Sequence, residues 1–101
     1  MDIDINETLK ALSNPTRLDI LTWLKEPARH FACQPVDPEE VGVSVQKIQE
    51  KAGLSQSTTS VYLASLQRAK LLKSQRIGAW TYYKRDEENI MAFQQALQNL
   101  M

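Results

Sequence analysis

The stretch at residues 44–70, SVQKIQEKAGLSQSTTSVYLASLQRAK, decides the predicted fold. Its first part predicts a helix over 45–52, because Ser44 is a good N-cap and Gly53 is typical of the residue that ends a helix. Its second part predicts a longer helix over 55–69, again with a serine at the cap. Two helices joined by a turn of about four residues that contains glycine are typical of a helix-turn-helix.

The longer helix begins with small hydroxyl and amide side chains rather than apolar ones. Capping accounts for the serine at its start, but not for the polar residues that follow. A helix that enters the major groove of DNA needs small side chains near its N-terminus, together with donors and acceptors for the base edges. Leu63 and Leu66 lie further along and are expected to anchor the helix in the core. The candidate recognition residues are Ser55, Gln56, Ser57, Thr58, Ser60, Val61 and Tyr62.

A β-hairpin is predicted after these helices, with strands over 71–77 and 80–84 joined by a turn at Gly78. Such a wing commonly tracks the DNA backbone through phosphate contacts that position the protein without specifying sequence. Its aromatic residues favour packing onto the domain, with stacking on unpaired bases as the alternative. The candidate backbone contacts are Arg68, Lys73, Arg76 and Lys84, and the aromatic residues are Trp80, Tyr82 and Tyr83.

The N-terminal half adds two helices and a loop to the prediction. A helix over 6–12 has Asn6 as its candidate cap, and the next helix begins at Pro15 behind a cap at Asn14. Residues 26–43 contain three prolines and a glycine and are predicted as an unusually long loop. The predicted fold class is therefore α+β, mostly α, with about five helices and a two-stranded wing in one domain that spans residues 1–101.

The charges of the chain are segregated along its length. Their total is zero, with 12 Lys and Arg against 12 Asp and Glu. Residues 1–50 nevertheless have a net charge of −4, residues 51–85 of +7 without a single acid, and residues 86–101 of −3. Such blocks usually mark a face that meets a charged partner, and a solvated basic surface is the alternative. Because the +7 block contains both the candidate recognition helix and the wing, the predicted partner is double-stranded DNA.

Composition argues against several other classes of protein. The 43% apolar and 24% charged residues are typical of a globular domain, and no apolar run reaches the ~18 residues of a membrane span. No charged-then-apolar leader opens the chain, so we expect a cytoplasmic protein without a membrane partner. The single cysteine excludes an internal disulfide. One histidine, His30, without a nucleophile arrangement or a Gly-rich phosphate loop argues against an enzyme.

Three segments resemble the ArsR/SmtB family of winged-helix repressors: LKALSNPTRLDIL at 9–21, AGLSQSTTS at 52–60 and GAWTYY at 78–83. In order and spacing they cover nearly the whole chain. The resemblance implies a homodimer that binds a pseudo-palindromic operator and usually represses transcription.

The resemblance also assigns residues. The DNA-facing positions of the family fall on Gln56, Ser57 and Ser60. Many members have Arg or His at the next two positions, where this chain has Val61 and Tyr62. Since valine offers only an apolar contact, for instance to a thymine methyl, this departure concerns the identity of the operator rather than DNA binding itself.

The metal sites of the family are expected to be absent. Many members bind metal through a Cys-Val-Cys whose positions fall here on Ser44, Val45 and Gln46, and neither serine nor glutamine is a credible ligand for a soft metal. A second family site uses a histidine on the last helix, and residues 86–101 contain none. We therefore predict no metal and no cofactor.

The long loop contains candidate residues for sensing a signal, but it does not identify that signal. Cys33 stands three residues after His30, with acidic residues nearby, but one His and one Cys are a weak pattern for zinc. Cys33 could instead form a sulfenate or an intersubunit disulfide as a redox switch, since Arg29 and His30 could lower its pKa. The simplest alternative is a small apolar loop residue. The effector is therefore unknown.

The last predicted helix begins at Asp86 and has an apolar stripe at i, i+3, i+7 and i+10, the spacing of a helix–helix seam. The resemblance implies that this helix and the first one form the dimer interface, and packing on its own domain is the alternative. The candidate dimer contacts are Leu9, Ile90, Phe93, Leu97 and Leu100.

These observations predict a sequence-specific DNA-binding regulator, a homodimeric repressor without the usual metal site. A protein-interaction adaptor that uses a winged helix without DNA is the main rival. The other alternative is a repressor whose DNA binding changes through a redox reaction of Cys33.

Overall fold

The computed structural model describes residues 3–31 and 34–101. Within these ranges it has six helices and three strands, and it confirms the predicted α+β, mostly α class. The elements are α1 Ile5–Leu12, α2 Pro15–Trp23, α3 Pro27–His30, β1 Val43–Ser44, α4 Val45–Ala52, α5 Gln56–Arg68, β2 Leu72–Ile77, β3 Trp80–Arg85 and α6 Glu87–Leu100.

Local signals set most helix starts. In α1, α2, α4, α5 and α6 the side chain of the N-cap residue accepts a backbone N–H. Gly53 ends α4 in the left-handed conformation with φ 67°. The first helix differs from the prediction, because Asp4 rather than Asn6 is its cap and its carboxylate accepts the N–H of Glu7 at 3.1 Å. Asn14, Ser44 and Ser55 are the predicted caps, and Asp86, where the last helix is predicted to begin, is the cap of α6.

The long loop predicted over 26–43 is partly ordered into regular structure, which corrects the prediction. Its start is the short helix α3, which has Pro27 at its first position. Its end is the strand β1, which pairs with β3 and turns the hairpin into a three-stranded antiparallel sheet of order β1-β3-β2. The connection that leads into β1 is called here the 34–42 loop.

The sheet has an inner and an outer face. Directly opposed residues of antiparallel strands point to the same face. Val43 and Leu72 are buried on the inner face, where Tyr83 also packs against the core. Tyr82, with its partners Ser44 and Gln75, lies on the outer face, which the 34–42 loop covers.

The core lies between the helices and the inner face of the sheet. Its fully buried apolar residues come from α2, β1, α4, α5 and the segment that enters β2, and they confirm that Leu63 and Leu66 anchor the second helix of the helix-turn-helix. They are Ile20, Ile48, Leu63, Leu66, Val43 and Leu71.

The burial of Tyr83 predicts how the free energy of unfolding depends on pH. Burial raises the pKa of its phenol above the ordinary value of 10.0, because desolvation disfavours the phenolate. A raised folded-state pKa contributes stability that is fully present below the unfolded pKa and is lost as pH rises through the folded pKa. We therefore expect the free energy of unfolding to fall above pH 10 more steeply in the wild-type protein than in Tyr83→Phe. Urea unfolding from neutral to strongly alkaline pH checks this, and identical pH profiles would contradict it.

Candidate nucleic-acid interface

The first two turns of α5 present an exposed polar surface. Gln56, Ser57, Ser60 and Val61 are exposed, and residues spaced three and four apart on a helix lie on the same side. Among the described residues, no hydrogen bond is formed by the side chains of Gln56 and Ser60. Their donors and acceptors are therefore available to an outside partner.

Ser55 and Thr58 differ from these exposed residues because they bond to each other. The Ser55 hydroxyl accepts the backbone N–H of Thr58 at 3.1 Å and donates to the Thr58 hydroxyl at 2.9 Å. The opposite side of the helix is anchored by Thr59, which is fully buried and donates to the Ser55 carbonyl at 2.9 Å. Of the predicted recognition residues, Ser55 and Thr58 are thus partly committed to starting the helix.

Tyr62 is directed into the domain, contrary to its assignment as a groove contact. It is half-buried, and its hydroxyl accepts a hydrogen bond from the Asn14 side-chain amide at 3.2 Å. The guanidinium of Arg17 lies 5.2 Å from the centre of its ring, within range of a cation–π contact. Arg17 also donates to the carbonyls of Ala11 and Lys10 at the end of α1, at 2.7 and 3.0 Å. Tyr62 therefore joins α5 to the junction of α1 and α2.

The wing projects its tip into solvent. Ile77 and Trp80 pair across the strands next to the turn at Gly78 and are 44% and 49% exposed. Arg76 is exposed and donates from Nε to the Gly78 carbonyl at 3.2 Å, and Lys73 is exposed nearer the base. These two cations lie where the prediction placed them, on the strand that leads to the tip.

Two other predicted backbone contacts lie elsewhere. The ammonium of Lys84 donates to the carbonyls of Glu40 and Glu39 at 2.9 and 3.4 Å, so it fastens the 34–42 loop to the sheet. Arg68 ends α5, about 18 Å along the axis from the first turn, and pairs with Glu7 at 3.4 Å. The sequence alone could not predict these contacts, because Lys84 and Arg68 each bond to residues from a distant part of the chain.

The aromatic strand packs largely as expected. Tyr82 is buried and Tyr83 is half-buried, whereas Trp80 is only half covered. Arg85, although part of the basic block, is a structural residue. Its guanidinium pairs with Glu87 at 2.8 Å and donates to the Leu21 carbonyl at 3.2 Å, which holds the sheet to α2 and α6.

The described residues contain no group of three or more His, Cys, Asp and Glu that could hold a metal ion. At one family metal position, Ser44 instead caps α4 by accepting the N–H of Lys47 at 3.3 Å, and Gln46 is exposed. The redox hypothesis for Cys33 concerns a residue outside the described ranges. Across residues 3–31 and 34–101, none of the helices has the length and apolar character needed to cross a bilayer.

The apolar stripe of α6 divides into a buried and an open half. Ile90 and Phe93 are 6% and 7% exposed and pack within their own domain, so little of their surface is left for the predicted dimer seam. Leu97 is half-buried, and Leu100 is 67% exposed near the end of the helix. Leu9 of α1, a helix that packs beside α6, is 44% exposed. The open half of the stripe and Leu9 are thus apolar positions that remain available for the predicted dimer interface.

Comparison with curated proteins identifies a relative that aligns with most of the chain. The chain is 56% identical over 85 residues to YbzH of Bacillus subtilis (strain 168), described as an uncharacterized HTH-type transcriptional regulator, and the match covers 83% of this chain and 85% of the relative. No family model matches the chain.

Solved structures share the fold. The homodimeric winged helix-turn-helix domain of Mb0332 from Mycobacterium bovis, a possible ArsR-family transcriptional regulator, is 27% identical with a TM-score of 0.65, covering 95% of this chain and 75% of that one. NolR from Sinorhizobium fredii is 29% identical with a TM-score of 0.64, covering 94% and 81%. An ArsR-like regulator from Rhodococcus sp. RHA1 reaches 0.69 at 21% identity, covering 95% and 77%, which supports the fold alone.

Proposed function

The chain belongs to the helix-turn-helix transcriptional regulators of the ArsR type, and from that premise we propose that it is a homodimeric repressor that binds a pseudo-palindromic DNA operator. The observation that carries the proposal is the exposed polar face of α5, where Gln56, Ser57 and Ser60 lie together without a role in the core. Small polar groups at a helix start suit close approach to base edges in the major groove. In this proposal the regulator acts without the metal site that the family resemblance implies for many members.

DNA binding is tested by titrating the purified protein with a labelled duplex from its own upstream region, followed by fluorescence anisotropy. The logarithm of the binding constant should fall linearly with the logarithm of salt concentration, because phosphate contacts release counterions. A scrambled duplex of the same composition should bind much more weakly. Binding that ignores salt, or no binding to any duplex, would favour the protein-interaction adaptor instead.

The wing and the exposed face of α5 should contribute to DNA binding in different ways. Arg76→Ala is expected to weaken binding to operator and scrambled DNA alike and to reduce the salt slope of the dimer by about two, one for each subunit, because a phosphate contact carries no sequence information. Gln56→Ala is expected to cost about 1–3 kcal/mol per half-site on the operator only, and so to relax sequence preference. Titrations of both variants against both duplexes over a salt series check this. A Gln56→Ala variant that lost affinity equally for both duplexes would contradict the assignment.

Dimerisation should depend on the open half of the α6 stripe. Leu100→Glu is expected to raise the dimer dissociation constant about a hundredfold or more, because the interface would lose an apolar side chain of each subunit. Gln98→Glu, which adds the same charge at another exposed position of the same helix end, is the control. Sedimentation velocity over a concentration series measures the constant. Equal constants for the two variants would show that Leu100 lies outside the interface.

A further inference from the structure

A pocket of about 320 Å³ lies between the wing, the 34–42 loop and the first helix of the helix-turn-helix. It is separate from the exposed face of α5. Three segments of the chain form its walls, and its surface is mainly apolar. The lining residues are Gln34, Pro35, Ser44, Gln46, Lys47, Glu50, Trp80 and Tyr82.

The apolar part of the pocket is formed by the rings of two aromatic residues and a proline. Trp80 and Tyr82 are two residues apart on β3, so their side chains point to the same outer face of the sheet. Tyr82 is 4% exposed and fixed, whereas Trp80 leaves about half of its surface open next to the cavity. Pro35 adds a third ring on the loop side. Flat ring systems prefer offset or edge contacts with aromatic side chains.

The loop wall is held in place by Gln34. Its side-chain amide donates to the carbonyls of Gly42 and Val36 at 2.6 and 3.3 Å, and its oxygen accepts the N–H of Ser44 at 3.3 Å. Both ends of this amide are therefore used, and the loop is tied to the start of α4. The pocket is thus a built feature of the fold rather than a gap between loose segments.

The polar part of the pocket includes a charged donor and a charged acceptor side by side. Lys47 and Glu50 lie three residues apart on α4 and line the cavity together. Within the described residues the side chains of Lys47 and Glu50 form neither an ion pair nor a hydrogen bond. The ammonium can donate to a ligand and the carboxylate can accept from it.

We propose that this pocket binds a planar two-ring heteroaromatic molecule that carries a hydrogen-bond donor and an acceptor on one edge. The size supports two rings, because the cavity has about twice the ~150 Å³ that admits benzene and lies at the lower end of ligand pockets. The rings pack between Trp80 and Pro35, and the polar edge meets Lys47 and Glu50. A ligand here touches both α4 and the wing, so on the proposed function it is placed to act as the effector.

The test uses quinolin-2(1H)-one as the probe, since its N–H and carbonyl are adjacent. The protein has two tryptophans, so its indole N–H region in a ¹H–¹⁵N NMR spectrum contains two signals, which the Trp23→Phe variant assigns. We expect the Trp80 signal to shift saturably with the probe while the Trp23 signal stays in place. N-methylquinolin-2-one, which lacks the donor, should bind about tenfold more weakly.

Variants tie the binding to the pocket. Calorimetry should show about tenfold weaker binding of quinolin-2(1H)-one to Trp80→Leu and to Glu50→Gln, and unchanged binding to Trp23→Phe. The proposal is overturned if the Trp80 signal does not saturate at millimolar probe, if both tryptophans shift alike, or if Trp80→Leu binds as the wild type does. These measurements contain no DNA, so their failure is distinct from failure of the operator titration.

Discussion

A glutamate in place of Ser60 is expected to weaken operator binding by about a hundredfold or more, because a carboxylate on the groove-facing side of α5 would oppose the phosphates and base acceptors of the duplex. Ser60 is exposed, and the buried side of the helix at Thr59 and Leu63 is unchanged by the substitution. The fold should therefore persist. Anisotropy titration of Ser60→Glu against the operator duplex measures the loss, and circular dichroism confirms the helix content.

Gln94→Glu is the matched control for Ser60→Glu. It adds the same charge at an exposed position of α6, away from α5, so it changes the net charge of the protein equally. Its operator affinity should stay within a few-fold of the wild type. If both variants lost affinity alike, net charge rather than the location of Ser60 would explain the effect, and the assignment of α5 as the recognition helix would fail.

Gly42→Ala is expected to destabilise the domain by about 3 kcal/mol or more. Gly42 has φ 113°, a conformation that favours glycine, and an added Cβ would lie 2.5 Å from the backbone carbonyl oxygen of Tyr83. Because that carbonyl belongs to the central strand of the sheet, it cannot move without disturbing the register. Urea unfolding followed by circular dichroism measures the difference in free energy.

Gly78→Ala separates the two expected causes of the Gly42→Ala destabilisation, namely the positive φ and the contact with the Tyr83 carbonyl oxygen. Gly78 has φ 62° at the wing turn, but an added Cβ there meets nothing within 4 Å. Its substitution should cost only about 1 kcal/mol, from the backbone conformation alone. A similar loss in Gly42→Ala and Gly78→Ala would mean that the contact with the Tyr83 carbonyl is relieved at little cost.

The sequence predicted those elements that are specified by neighbouring residues. Asn14 with Pro15, Ser44 with Gly53, and Ser55 are local signals whose hydrogen bonds form within a few residues, so they are enough to locate the helix-turn-helix along the chain. The strand β1 has no such signal, because two residues become a strand only through pairing with Tyr82 and Tyr83 about forty positions later.

The same distinction applies to the candidate interface. The exposed face at Gln56 and Ser60 follows from helical periodicity, which the sequence contains. The directions of the Tyr62, Arg68 and Lys84 side chains depend on their partners, which lie in α2, α1 and the 34–42 loop. Long flexible or amphipathic side chains meet such partners only in the folded domain. Periodicity likewise predicted the apolar stripe of α6, but not what each part of it contacts. Ile90 and Phe93 pack within their own domain, whereas Leu100 is exposed.

The contacts of Tyr62 have a consequence for how distance is measured along DNA. Through Asn14 and Arg17 the recognition helix is braced directly against the end of α1, next to the proposed subunit interface. In the proposed two-fold dimer we expect this short brace to fix the separation of the two recognition helices. Half-sites that are correct in sequence but displaced by a base pair should therefore bind more weakly, because neither subunit can rotate to follow them.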